Sequence, residues 1–218
     1  MANKAENDGL SCTNCAVNTC KKEAGKYPEF CPTVSLSDQE IDDIIELYSH
    51  DQEVRRLAVA GSEVEGAFYG KYTRVEEVME FAHRINAKKI GIATCIGLIE
   101  ESRIFARILK AKGFEAFGVA CKVGAVEKTK INIELQYLRQ PFERICNPVW
   151  QAKLLNKQKT ELNVVMGLCV GHDSLFYRYS EAPATTLVTK DRITGHNPIA
   201  PLQGVKTYYS HLLKTEKA

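Results

Sequence analysis

Eight cysteines carry most of the chemistry this chain could do, and they fall into two sets. The first set is local. Cys12, Cys15, Cys20 and Cys31 lie in "SCTNCAVNTCKKEAGKYPEFCP" with the spacing C-x2-C-x4-C-x10-C, followed by Pro32. A C-x-x-C pair can wrap one metal because its two intervening residues form a tight turn that aims both sulfurs inward. Four thiolates complete a tetrahedral zinc site or an iron–sulfur cluster. Zinc ribbons separate two C-x-x-C pairs by a longer stretch, and the second half of this segment has no such pair. Uneven spacing that ends in Cys-Pro is closer to ferredoxin-like ligation. The segment therefore reads as a metal site, with iron–sulfur ahead of zinc. A thioredoxin-type redox pair fits less well, because its C-x-x-C follows a strand and opens a helix inside a βαβ unit. Four unliganded thiols in a polar segment would be an oxidation liability.

The second set, Cys95, Cys121, Cys146 and Cys169, is scattered, and only the elements around it can bring it together. "SDQEIDDIIELYSH" reads as a helix: Ser37 and Glu40 form a capping box, and Ile41, Ile44, Ile45 and Tyr48 share one face. "QEVRRLAVAGSEVEGAF" is a second helix, weakened by Gly61 and Gly66. "TRVEEVMEFAHRINA" is a third, opened by Thr73 and Glu76, with Val75, Val78, Met79, Ala82 and Ile85 facing inward. The pattern then changes. "KIGIATC" is a strand, "IEESRIFARILKAKG" an amphipathic helix ended by Gly113, and "FEAFGVAC" a strand, which together make a right-handed βαβ unit. A polar stretch of less regular pattern leads to "CNPVWQAKLLNKQ", where Asn147 caps and Pro148 occupies the first turn. "ELNVVMGLC", "HDSLFYRYSE" and "ATTLVTKD" follow as strand, short helix and strand.

This alternation predicts an α/β fold: a three-layer, mainly parallel sheet with flanking helices, preceded by the cysteine-rich segment and helices. The expected divisions are a metal-binding segment over 1–36 and an α/β domain over 37–218, the latter with a helical lead-in (37–87) and a sheet core (88–218). Cys95, Cys121 and Cys169 then end three strands. In a parallel sheet those ends lie along one edge, where open α/β folds bind ligands. Cys146, just before a crossover helix, joins them if an unrecognised strand precedes that helix. A lone cysteine after an apolar strand is commonly a small core residue. Three at equivalent strand ends, each within three residues of a glycine, point instead to a second metal centre.

His172 and Asp173 follow Cys169, and His172 could serve as ligand, proton shuttle or a base that lowers the thiol pKa. Cys169 and His172 are thus the candidate catalytic pair. Lys190, Asp191, Arg192 and His196 in "KDRITGHNP" make either a functional turn or a solvated one. His50, His83 and His211 read as surface or boundary residues.

The remaining numbers exclude several classes. Lys and Arg total 29 against 27 for Asp and Glu, interspersed, so no nucleic-acid or membrane-surface tract stands out. No apolar run approaches the roughly 18 residues of a membrane span. The polar "MANKAENDGL" is no secretory signal, which predicts a cytoplasmic protein and shifts eight cysteines from disulfides toward metal or catalysis. "GIATCIGLIEE" lacks G-x-G-x-x-G, so no dinucleotide site is expected.

"SCTNCAVNTC", "FCP", "IGIATCIGLIEE", "CNPVWQAKLLN", "GLCVGHDSLFYRYSEAPATTLVTKDR" and "GHNP" together resemble an uncharacterised bacterial and archaeal cysteine-rich family, a domain of unknown function labelled metal-binding. The resemblance spans nearly the whole chain, and "GLCVGHD" with "CNP" is its specific part. It implies a metal-binding role for the cysteines, all eight of which occupy its motif positions, and no reaction or substrate.

Three functions follow as expectations. The first is a protein with cysteine-ligated iron–sulfur (or zinc) centres, serving a redox partner or acting on a small molecule. The second is a thiol enzyme using Cys169 and His172 beside a structural zinc. The third is a metal sensor or carrier.

Overall fold

The computed structural model describes residues 9–22 and 25–215. The polar opening over 1–8 and residues 23–24 of the cysteine segment lie outside the described residues. The chain divides into two compact units, Met1–Ser62 and Glu63–Ala218. The expected boundary after residue 36 falls inside the first.

The first unit is built from local interactions. Short 3-10 turns at Cys12–Asn14, Thr19–Lys21 and Pro32–Ser35 carry the cysteines. The Cys15 N–H closes the first turn on the Cys12 carbonyl at 3.1 Å, and the Ser11 N–H donates to the Phe30 carbonyl at 3.0 Å. Helix α1 (Asp38–His50) starts where the capping box places it: the Glu40 N–H donates to Ser37 Oγ, and the Ser37 N–H donates back to Glu40. Ile41, Ile44, Ile45 and Tyr48 line one side of α1 as their spacing requires, and all four stay exposed within the unit. Helix α2 (Gln52–Phe68) opens on Asp51, whose carboxylate accepts the N–H groups of Glu53 and Val54.

The second unit holds the sheet. After α3 (Arg74–Arg84) come β1 (Lys89–Thr94), α4 (Ile99–Ala111), β2 (Glu115–Ala120), α5 (Pro148–Lys157), β3 (Leu162–Met166), α6 (His172–Tyr179), β4 (Ala184–Val188) and the single turn α7 (Ala200–Gln203). The four strands are all parallel, in the order β2-β1-β3-β4. The central pair is buried along almost its whole length, which is why it reads as continuous apolar runs. Both edge strands are only partly covered.

From β1 the chain moves one way to β2, then returns past β1 to β3 and β4. Right-handed crossovers consequently set α4 on one face and α5 with α6 on the other. On the α5/α6 face Ala93, Val119 and Val165 pack with Ala152, Leu155 and Phe176. Helix α3 is tied to β4 by the Arg74 guanidinium, which donates to Thr185 Oγ1 at 2.9 Å. Strand order reverses between β1 and β3, and such a reversal opens a crevice at the carboxyl ends of the strands. Among the described residues, no helix is long and apolar enough to cross a membrane.

Candidate functional site

Cys95 and Cys121 come directly after β1 and β2 and extend the ladder by one step. The Cys95 N–H donates to the Met166 carbonyl at 3.0 Å, and the Cys121 N–H to the Thr94 carbonyl at 2.8 Å. Gln151 of α5, wholly buried, clamps the two strand ends from beneath: its Nε2 donates to the carbonyls of Val119 (2.7 Å) and Thr94 (3.0 Å). Its Oε1 is buried without a partner among the described residues. The β1–α4 turn is held by Ser102, whose hydroxyl donates to the Leu98 carbonyl and shares a hydrogen bond with the Thr94 hydroxyl. Gly167, at φ 69°, passes so close to this turn that a Cβ there would sit 2.2 Å from Leu98 Cδ1. Only glycine satisfies both conditions.

Cys146 does not follow a regular strand. An isolated antiparallel bridge between Glu127 and Arg144 folds the 122–147 segment back on itself. The Asn147 N–H then donates to the Cys121 carbonyl at 2.7 Å, which docks Cys146 beside the end of β2. Asn147 goes on to cap α5 through the Trp150 N–H, so the same residue that starts the helix sets the cysteine. Cys169 lies three residues past β3. Gly171, at φ 80°, turns the chain into α6, and the N–H groups of His172 and Asp173 bond the Cys169 carbonyl.

These residues form a row: Cys95 contacts Cys121, Cys121 contacts Cys146, and Cys146 contacts His172. Cys121, 2% exposed, also accepts the Ile96 N–H at 3.3 Å. Its thiol is pushed strongly up, because Cys146 and then Cys95 take hydrogen bonds from its proton and burial adds to the effect. The Cys146 thiol is pulled down to about 3 by the Cys121 hydrogen bond and then by His172. Cys95 falls to about 5, first through Cys121, then through the Gly97 N–H and Lys190. One S–H cannot donate to both neighbours at once. Cys146 has His172 as its second-largest support, whereas at Cys95 burial opposes the smaller help of the Gly97 N–H and Lys190, so Cys146 is the better-supported thiolate. The His172 imidazole is correspondingly pushed up by the Cys146 sulfur against the cost of burial. Cys169 pairs differently: Arg192 Nη2 donates to its sulfur at 3.0 Å.

Above Cys146 and Cys169 opens a cavity of about 480 Å³, also lined by His172 and Arg192. That volume lies within the range of small-molecule sites. Its outer wall is the 122–147 segment. Glu143, 4% exposed, organises that wall by accepting from Lys128 Nζ (3.0 Å), Arg139 Nε (3.0 Å) and the Arg139 N–H (2.9 Å). Those partners, Arg139 first, hold its carboxyl down at about 2.

Cys95, Cys121 and Cys169 therefore lie at one edge, as strand-end placement requires, and Cys146 reaches it through the 122–147 segment without a preceding strand, with His172 against Cys146 and Cys169 against Arg192. Lys190 also reaches this edge: Nζ and Cys95 Sγ both lie within 4 Å of the position a Cβ on Gly97 would take. Asp191 and His196 instead build the turn that presents Lys190 and Arg192. The Asp191 carboxylate accepts the Ile193 and Thr194 N–H groups, and the Asp191 N–H donates to His196 Nδ1. Cys12 and Cys20 are exposed, Cys15 and Cys31 half-buried, all four in the first unit. Among the described residues, no three Cys, His, Asp or Glu side chains form a group that could hold a metal ion. His50 bonds within α1, and His83 stacks on Phe114 with ring centroids 4.4 Å apart.

Sequence patterns did not reveal Lys122, Lys128, Arg139, Glu143 or Gln151. Four of them sit in or beside the irregular wall, where no periodicity marks an inward position. Gln151 was concealed as one polar residue on an amphipathic helix.

The family described as a protein of unknown function (DUF1847) matches residues 31–187, which include Cys31 and the four edge cysteines. An uncharacterized protein of Methanocaldococcus jannaschii is 42% identical over 171 residues, covering 78% of this chain and 86% of the relative. No solved structure matches.

Proposed function

The chain belongs to the DUF1847 family, whose description assigns no activity, and we propose from its own residues that it performs cysteine-thiolate chemistry on a small molecule at the carboxyl edge of its sheet. The row Cys95–Cys121–Cys146–His172, ending under a cavity, is the observation that carries this reading. Cys146 is the nucleophile, because a thiolate beside an imidazolium attacks electrophiles at neutral pH where an ordinary thiol is largely protonated. His172 stabilises that thiolate and supplies a proton to the group that Cys146 displaces. Cys169, held by Arg192, is the second thiol within reach of a bound molecule. A cytoplasmic location goes with this reading, since free thiolates persist in reducing surroundings.

The test is a timed alkylation of the anaerobically purified protein with iodoacetamide, each cysteine followed by mass spectrometry. Cys146 is expected to react ahead of the far more exposed Cys12 and Cys20. If those two react first, the thiolate reading is wrong.

A second reading, metal ligation, is favoured by donor type. Cys95, Cys121 and Cys146 are neighbouring soft thiol donors, Cys169 lies at the same edge, and His172 Nδ1 is buried without a partner among the described residues. In the first unit, the closed Cys12–Cys15 turn and the Ser11–Phe30 hydrogen bond bring a C-x-x-C pair toward Cys31. The donor chemistry fits a thiophilic centre, iron–sulfur ahead of zinc, while the edge thiols stand in a row and would have to converge to hold one. Such centres would serve electron transfer, a cluster-based reaction or, without turnover, metal sensing. Iron, sulfide, zinc and the visible spectrum of protein purified without oxygen separate these versions. Colourless, iron-free protein with stoichiometric zinc excludes the iron–sulfur version, and metal-free protein excludes both.

A further inference from the structure

The lining of the cavity above Cys146 and Cys169 has a composition that thiol chemistry alone does not require. Lys122, Lys128, Arg139 and Arg192 face it, against the single carboxylate of Glu143. Glu143 is already engaged by Lys128 and Arg139. Among the described residues, Lys122 donates to the Arg144 carbonyl (2.6 Å), a neutral acceptor, and Arg192 to the Cys169 sulfur, with no carboxylate on either. Even with Cys146 and Cys169 both ionised, a positive surplus remains. Arg139 and Arg192 also stand close enough to repel one another. Glu143 engages Arg139 but not Arg192, so the repulsion between the two guanidiniums is only partly offset by the protein itself. An anion between them converts that repulsion into charge-assisted hydrogen bonds. The rest of the wall is apolar: Ile131, Ile133 and Ile145 line the same space.

We propose that this cavity binds a small organic anion, its charged head between Arg192, Arg139 and Lys122 and its short apolar body against the three isoleucines. The inference rests on the thiolate reading for its purpose, since the head group would hold the body beside the Cys146 and Cys169 sulfurs. Its evidence is separate: the charge count and the lining hold whichever thiol reacts. Carboxylates and phosphate monoesters share the necessary chemistry, and the choice between them is an arm of the test.

The experiment uses the full chain, purified reduced, titrated calorimetrically with butanoate, butyl phosphate and the uncharged butanamide. At least one anion is expected to bind, to weaken as salt rises and to slow iodoacetamide labelling of Cys146, while butanamide does none of these. Arg192→Gln and, separately, Lys122→Gln should each weaken the anion by about tenfold or more, the usual cost of one charged hydrogen bond. Arg192 is exposed, so its substitution should leave the thermal midpoint unchanged; Lys122 is half-buried and bonds the Arg144 carbonyl, so where Lys122→Gln lowers the midpoint the Arg192→Gln affinity decides. The relative affinities of butanoate and butyl phosphate identify the head group. Binding should persist in Cys146→Ser, which separates failure of the thiolate reading from failure of this one. Equal binding of butanamide, no binding of either anion, or affinities indifferent to both substitutions would overturn the proposal.

Discussion

The two cysteine quartets are made in opposite ways. Cys12, Cys15, Cys20 and Cys31 span a short run of chain, sit on 3-10 turns and are exposed or half-buried. Cys95, Cys121, Cys146 and Cys169 come from well-separated parts of the chain, yet three of them contact one another in sequence. They share a wall of packed side chains, with Cys95 6% and Cys121 2% exposed. Proximity in sequence places thiols near each other without giving them an environment. Topology supplies both neighbours and environment, and it is environment that moves a thiol toward its thiolate.

This contrast can be broken from beneath. Phe176 is fully buried in the cluster that also holds Cys95 and Cys121. Phe176→Ala should cost about 3–5 kcal/mol, the usual range for emptying such a site. Chemical denaturation measures it, and labelling should show the edge cysteines becoming reactive alike while the amino-terminal four keep their rates. Unchanged edge selectivity would mean that the packing shell does not set these thiols.

Reactivity sharpens the comparison next. With Cys146 lowered to about 3 and His172 raised, the thiolate–imidazolium pair exists above the thiol's folded pKa and persists until His172 loses its proton, above its ordinary range. Alkylation of Cys146 should therefore stay nearly level from about pH 5 to 7, while a free thiol such as N-acetylcysteine, run in parallel, slows by about tenfold per unit as pH falls. A parallel fall in both would remove the distinction. His172→Ala should take away part of the acid-side advantage of Cys146, the Cys121 hydrogen bond sustaining the rest.

The wall gives a smaller effect with a definite sign. Glu143 has its folded pKa held at about 2, below that of a free carboxyl. Its contribution is fully present above the unfolded value, about 4.3, and is lost as pH falls through that interval. Hydrogen exchange in the 122–147 segment should accelerate across this window ahead of β1 and β3, and Glu143→Gln should abolish the pH dependence. The smallest expected change is local to the first unit: Ser37→Ala removes the α1 cap and should cost about 1 kcal/mol of helix stability, leaving the sheet edge untouched. Circular dichroism on heating measures it.

Much of the architecture could be read from pattern. The capping boxes at Ser37 and Thr73 set two helix starts within a residue, because a side chain three positions away decides each. The β1–α4–β2 alternation identified a parallel sheet, and a parallel sheet forces strand ends to one edge. Cys146 was harder. Its arrival depends on the Glu127–Arg144 bridge and the Asn147–Cys121 hydrogen bond, neither of which leaves a periodic trace. The partners of the histidine were equally hidden: His172 lies near Cys169 in sequence, yet its ring meets Cys146.

By itself, then, the sequence determined the elements, the parallel order of the core and the presence of thiols at strand ends, since these follow from local propensity and a period of two or 3.6 residues. Only the tertiary structure decided which thiols touch, which one gains an imidazole, and that lysines and arginines from an irregular wall surround them. Those pairings join side chains across long sequence separations, and their energies depend on burial and distance that no local pattern encodes.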